Sequence, residues 1–341
     1  MSSPGATRSG RTGRARPTWC SPSEQRRTPI AMNAWNRLQP WLRRGRTWVI
    51  ALPYGWLLAF FLLPFLILLK ISVSEMETVN FKDLITYKDG LLQLTLKLSN
   101  YVFMSEDTLY LDAYVRSVRY AAATTALCLW VGYPFAYFMA RAKPTVQPAL
   151  LMLVMLPFWT SFLLRVYAWK GLLSENGWVA EVLIGSGFDQ LLAATGLIAA
   201  PGKLMHTPFS LVLGMTYTYL PFMILPLYGN LAKMDLRLLE AAADLGASPW
   251  LAFWKVTVPL SKAGIVAGSM LVFIPCVGEF VIPELLGGPE TLMIGRVLWD
   301  EFFQNNDWPM ASAVAVVMIL LIIVPLALFN KYQAESQERA R

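Results

Sequence analysis

Two carboxylates five residues apart, Glu279 and Glu284, stand in an otherwise apolar run from Val277 to Pro289. A charge held at such a depth usually faces a cavity or a partner, and it can attract a cation strongly where the dielectric is low. Aromatic faces serve the same end for an ammonium group, and Trp159, Tyr167 and Trp169 lie together upstream. These residues therefore form a candidate path for a cationic substrate. Both sets also fit plainer roles. Glu279 suits a buried structural pair with Arg165 or with a group on a neighbouring subunit, and the aromatic residues suit a belt at headgroup depth.

Covalent chemistry is not indicated. The single histidine, His206, excludes a His-x-x-x-His zinc site, and no Cys-x-x-Cys occurs. Gly196 to Lys203 has one residue too many between its glycines for a phosphate-binding loop, and Leu204 stands where a hydroxyl residue would hold magnesium. No Gly-x-Ser-x-Gly elbow is present, and Cys20, Cys128 and Cys276 are too scattered for a disulfide or metal framework.

A second stretch has chemistry of a different kind. Residues Glu240 to Leu260 form a polar, charged interruption between two long apolar segments. Asp235 can accept hydrogen bonds from free amides at a helix start; Leu236, Leu239, Ala243 and, less perfectly, Ala242 share a face; Gly246 suits the left-handed position after a helix. Ser248-Pro249 reads as the cap and first residue of a second helix, with Trp250, Phe253 and Trp254 as its apolar stripe and Pro259 as its stop. Two short helices set at an angle, the second showing aromatics, fit a protein partner's groove. The alternative is an amphipathic loop lying on lipid.

The elements that position these residues are membrane-spanning. Hydrophobic residues make up 56% of the chain and charged residues 15%, against ~25% charged in a soluble domain. Six apolar stretches approach the ~20 residues that cross a bilayer. They are Trp48 to Leu69, Tyr120 to Ala140, Ala149 to Tyr167, Phe209 to Leu231, Ala263 to Val281 and Met310 to Phe329. With the N-terminus inside, the cytoplasmic segments hold 19 of the 29 Lys and Arg: ten arginines before the first span, then Arg141, Lys143, Lys233, Arg237, Lys255, Lys262, Lys331, Arg339 and Arg341. The first outer loop is acidic instead, with Glu75, Glu77, Asp83, Asp89, Glu106, Asp107 and Asp112, and the last sets five acids against the single Arg296. The positive-inside rule then predicts that both termini and the 234–262 loop are cytoplasmic. The net charge of +7 reads as a topology signal, not as a nucleic-acid footprint. Prolines at 134, 157, 221, 226 and 275 are expected to break helices along a translocation path. The basic segment 1–47 reads as a disordered cytoplasmic tail, of which 1–31 is either an over-extended start or a binder of anionic lipid, and 331–341 as a second tail.

The order Glu240-Ala241-Ala242, three residues, Gly246, then Val256-x-Val258-Pro259 resembles the "EAA" signature of permease subunits of ABC-type importers. That pattern ends Ile-x-Leu-Pro, so Val256 and Val258 depart from it conservatively. A longer resemblance, over about residues 48–330, is to the polyamine-importer permeases. It rests on Leu63 to Ser72, Gly132 to Ala136, Arg165 to Trp169, Val277 to Pro289, and, most like the putrescine type, Ile294 to Trp299 with Asn306 to Pro309. The acids of the Glu279 to Glu284 stretch also resemble the putrescine type, not the spermidine-preferring one. The resemblance implies an all-α integral membrane fold of six transmembrane helices, the MetI-like type I importer permease, in a bacterial inner membrane, with its core at about 115–330. It also implies a second homologous permease, two copies of a cytoplasmic ATPase that bind all the ATP and magnesium, and a periplasmic polyamine-binding protein. Glu240, Ala241, Ala242, Gly246, Trp250 and Pro259 would then meet the ATPase. A stand-alone secondary transporter is the alternative class, but it usually shows inverted repeats or an ion relay, and neither is evident.

Overall fold

The computed structural model describes residues 45–339 except 75, 78–79, 82–84, 89–90 and 95–97. The tail before Gly45, the acids Glu75, Asp83 and Asp89, and Arg341 lie outside the described residues. In chain order the helices are α1 (Trp48–Ser72), α2 (Ser99–Glu106), α3 (Thr108–Arg141), α4 (Gln147–Met155), α5 (Phe162–Leu173), α6 (Trp178–Gly185), α7 (Phe188–Ala194), α8 (Pro208–Leu231), α9 (Arg237–Asp244), α10 (Pro249–Ala252), α11 (Lys262–Val277), α12 (Val281–Leu286), α13 (Ile294–Trp299) and α14 (Trp308–Arg339).

Among the described residues, four helices are long and apolar enough to cross a membrane: α1, α3, α8 and the Trp308–Ala327 part of α14. Two more crossings exist only as bent pairs. Gln147–Trp159 meets α5 at 88°, and Pro249–Leu260 meets α11 at 64°. The expected span from Ala149 to Tyr167 is broken at Pro157, as the expectation for that proline had it. Pro157 has no N–H to give, the chain tightens into a 3-10 turn over Leu156–Trp159, and Thr160 Oγ1 donates back to the Pro157 carbonyl at 2.8 Å. The other four prolines do not break their helices: Pro134 lies inside α3, Pro221 and Pro226 inside α8, and Pro275 inside α11. An apolar setting leaves the backbone no better partner than its own helix, so such a proline need not end a span.

Helix α3 starts at Thr108, twelve residues before the expected Tyr120, with the Asp107 carboxylate accepting from Leu109 N at 2.9 Å. Between α1 and α2 the chain forms two short antiparallel hairpins, β1 (Met76–Glu77) with β2 (Asn80–Phe81) and β3 (Ile85–Lys88) with β4 (Leu91–Leu94), beside the otherwise helical fold.

The chain divides into two compact units at Leu63–Pro64. In the first, the apolar side chains from Trp48 to Leu63 are mostly exposed and Trp56 stacks on Phe60 at 4.1 Å. The second holds the core, where α3, α8 and α11 bury Cys128, Met139, Met215, Met223, Leu227, Val272 and Cys276 completely. Small residues let these helices close up. A Cβ on Gly268 of α11 would stand 2.8 Å from the Met223 sulfur and 3.1 Å from the Met223 carbonyl of α8. Helices α12 and α13 are short and dip back into the core, where Ile282, Leu286 and Ile294 are fully buried. Ser117 of α3 anchors α13 by accepting from Ile294 N at 2.7 Å.

Candidate functional site

The polar stretch folds as two helices joined by a tight corner. Asp235 accepts from Arg237 N at 3.0 Å and starts α9. Gly246, at φ +81°, ends it: Gly246 N donates to Ala243 O at 2.8 Å and Ala247 N to Ala242 O at 3.0 Å, the pair of bonds that closes a Schellman turn. Ser248 then caps α10 by accepting from Leu251 N at 3.3 Å, with Pro249 as first residue. These three expectations agree with the geometry. The second helix ends one residue past Pro259, at Leu260. A π-helical segment, Phe253–Thr257, carries the chain into a last turn, Val258–Leu260, and the bend into α11 follows at Ser261. The wider helix accommodates a proline whose ring would clash in regular α geometry.

The working face of α9 differs from the expected one. Helix α9 begins at Arg237, so Leu236 precedes it. Leu238, Ala241, Ala242 and Leu245 line an open groove of about 410 Å³, facing Lys255, Val256, Pro259 and Leu260. Those four residues keep the i, i+3, i+4, i+7 spacing of a helix face, a signal present in the sequence but passed over for a neighbouring stripe. Glu240, Ala241, Gly246, Trp250 and Pro259 are exposed, and Ala242 is half-buried. Leu245 is 88% and Trp250 69% exposed. The aromatic stripe divides. Trp250 and Trp254 stay open, while Phe253 turns inward and meets Tyr133 and Tyr137 of α3 edge-on at 5.6 and 5.8 Å.

Glu279 is not inside a span. Helix α11 ends at Val277, and the carboxylate sits in the break before α12 with 8% exposure. One oxygen accepts from Val281 N at 3.0 Å and Ile282 N at 3.4 Å, satisfying amides at the start of α12. The other oxygen accepts from the Tyr219 hydroxyl. The alternative pair with Arg165 is not formed. Its guanidinium lies 5.8 and 5.9 Å from the Phe158 and Phe162 rings, and Phe158, Phe222 and Tyr219 stand in succession toward Glu279, at 5.1 Å and then 6.1 Å between centroids. Tyr219 is thus a partner that sequence reasoning missed; nothing local marks a tyrosine sixty residues away.

Glu284 is half-exposed and ion-paired with Arg296 at 2.7 Å, and Arg296 also approaches Asp300 at 3.6 Å. Trp159 and Tyr167 are exposed at 75% and 54%, whereas Trp169 packs against Tyr217 at 5.4 Å. Among the described residues, no hydrogen bond, ion pair or ring contact joins these three aromatics to either carboxylate. No group of three or more metal-ligating side chains occurs among the described residues.

Comparison with known proteins places this architecture. The family described as "Binding-protein-dependent transport system inner membrane component" matches residues 129–336, which contain the 234–262 stretch and both carboxylates. The spermidine/putrescine transport system permease protein PotB of Haemophilus influenzae is 36% identical over 287 residues, covering 84% of this chain and 93% of that protein. The PotB protein of Escherichia coli is 35% identical over 275 residues, covering 81% and 93%. A crystal structure of a bacterial ABC transporter involved in the import of the acidic polysaccharide alginate contains a chain with the same fold, at a TM-score of 0.56 and 17% identity, over 89% of this chain and 99% of that one. The chain therefore belongs to the family of binding-protein-dependent transport system inner membrane components, within its polyamine permease group, and is a transport subunit and not an enzyme.

Proposed function

We propose that this chain is the permease subunit of an ATP-driven polyamine importer whose main substrate is putrescine. The observation that carries this reading is the 234–262 stretch: two capped helices, a Schellman corner and an exposed apolar groove, held on a chain with no phosphate-binding loop of its own. Such a surface suits a cytoplasmic ATPase, present in two copies and binding ATP and magnesium, with a second homologous permease completing the path and a periplasmic binding protein delivering the polyamine. Closure of the ATPase pair would draw the docking helices together and swing six crossings, counting each bent pair as one, between inward-open and outward-open. That needs only a differential preference of the partners for two arrangements.

The polyamine class is supported by relatives whose names carry both spermidine and putrescine. We assign the cation path to Glu279, Glu284, Trp159, Tyr167 and Trp169, with both termini cytoplasmic in a bacterial inner membrane. Tagged chain purified from its own membranes should bring down an ATPase and a second permease, and reconstituted vesicles should take up labelled putrescine when loaded binding protein is outside. Uptake without any ATPase subunit would favour a secondary transporter. Spermidine displacing putrescine at lower concentration would overturn the finer substrate assignment.

A further inference from the structure

The docking stretch is tied to the core at one buried joint. Ser261, at the bend between Leu260 and α11, is completely buried, and its hydroxyl donates to the Val258 carbonyl at 3.0 Å. With that proton committed, the Tyr133 hydroxyl of α3 donates to Ser261 Oγ at 2.9 Å. Eight residues earlier, Phe253 is wedged against the edges of Tyr133 and Tyr137, and the exposed Trp250 ring faces Phe253 at 22° with 6.2 Å between centroids. A displacement applied at Trp250 thus reaches α3 through packed rings and one hydrogen bond, not only α11 through the covalent chain.

We propose that Tyr133 and Ser261 form the coupling joint of this permease: their hydrogen bond makes α3 and the docking stretch move as one body. The inference rests on the ATPase-docking reading above and adds to it the residues that pass the motion on. A helix of 34 residues is a suitable lever, since α3 runs the whole depth of the core and also holds α13 through Ser117. A bond confined to the pivot has a property that bulk packing lacks. Its loss leaves only the ring contacts of Phe253 to carry α3, so the docking stretch slips against that helix and ATP is consumed with less substrate moved. Tyr133 and Ser261 are positioning residues, since neither lies on the exposed groove or on the cation path.

The test uses the whole complex in vesicles and reads polyamine taken up per ATP hydrolysed. Tyr133→Phe and Ser261→Ala should each lower that ratio about threefold to tenfold, the range that loss of one buried hydrogen bond corresponds to. The double variant should be no worse than either single, and Ser261→Thr, which keeps a hydroxyl, should hold the wild-type ratio. An unchanged ratio in both single variants overturns the inference, as do losses that multiply in the double variant. A fall in complex yield with the ratio unchanged assigns the bond to folding alone and also overturns it. Absence of any ATPase in the purified wild-type complex refutes the permease–ATPase reading itself, an outcome visible before any variant is made.

Discussion

Replacing Gly246 by valine isolates one physical term. At φ +81° the residue lies in the left-handed region, and a Cβ built there would meet nothing within 4 Å. Valine would therefore clash with no neighbour; its cost is backbone conformation, about 1–2 kcal/mol for an L-residue and more for a β-branched one. The chain can relieve that strain by leaving the left-handed region, but it then gives up the bonds from Gly246 N to Ala243 O and from Ala247 N to Ala242 O. Each of those contributes about 0.5–1.5 kcal/mol, so both routes cost about 2 kcal/mol. A bias of that size shifts the corner away from its native geometry roughly thirtyfold. The expected phenotype is a folded, membrane-inserted permease whose ATPase no longer responds to loaded binding protein, measured as stimulated ATP hydrolysis in vesicles. Gly246→Asn is the control, because asparagine tolerates the left-handed region. Normal transport with valine refutes the docking assignment. Equal loss with asparagine and valine refutes the backbone argument and points to a partner surface that needs a bare glycine.

Three further outcomes are expected. Leu245→Asp, which places a charge on the most open wall of the groove, should sharply reduce recovery of the ATPase with the tagged permease while leaving membrane insertion unchanged; undiminished recovery excludes the groove from the interface. Tyr219→Phe and Glu279→Gln each remove a charge-assisted bond worth about 1.5–3 kcal/mol, so both should lower the melting temperature of the solubilised complex, and the double variant should be far less than additive. Full stability in Glu279→Gln with slowed uptake would instead make that carboxylate a part of the cation path alone. Cysteines at Ser186 and Asn305 should react with an impermeant thiol reagent from outside, and one at Ser248 only after the membrane is opened; the reverse pattern overturns the charge-based orientation.

Local chemistry by itself determined most of the 234–262 stretch. Asp235, Gly246 and Ser248 do their work through bonds that span at most five residues, so their types and spacing were enough to place two helices and the corner between them. Hydropathy likewise located α1, α3, α8 and α14, because a lipid-crossing helix needs only its own length of apolar residues. Pro157 marked one break, but not its angle of 88°, because hydropathy alone does not record how far an apolar run turns. Which face of α9 forms the groove was decided by Lys255 to Leu260 folding back across it. The fate of Glu279 was decided by Tyr219, and that of Phe253 by Tyr133 and Tyr137, on helices far away in the chain. A buried charge must find donors and a buried ring must find a wall; the sequence states that need, but only packing of distant helices selects which residues meet it.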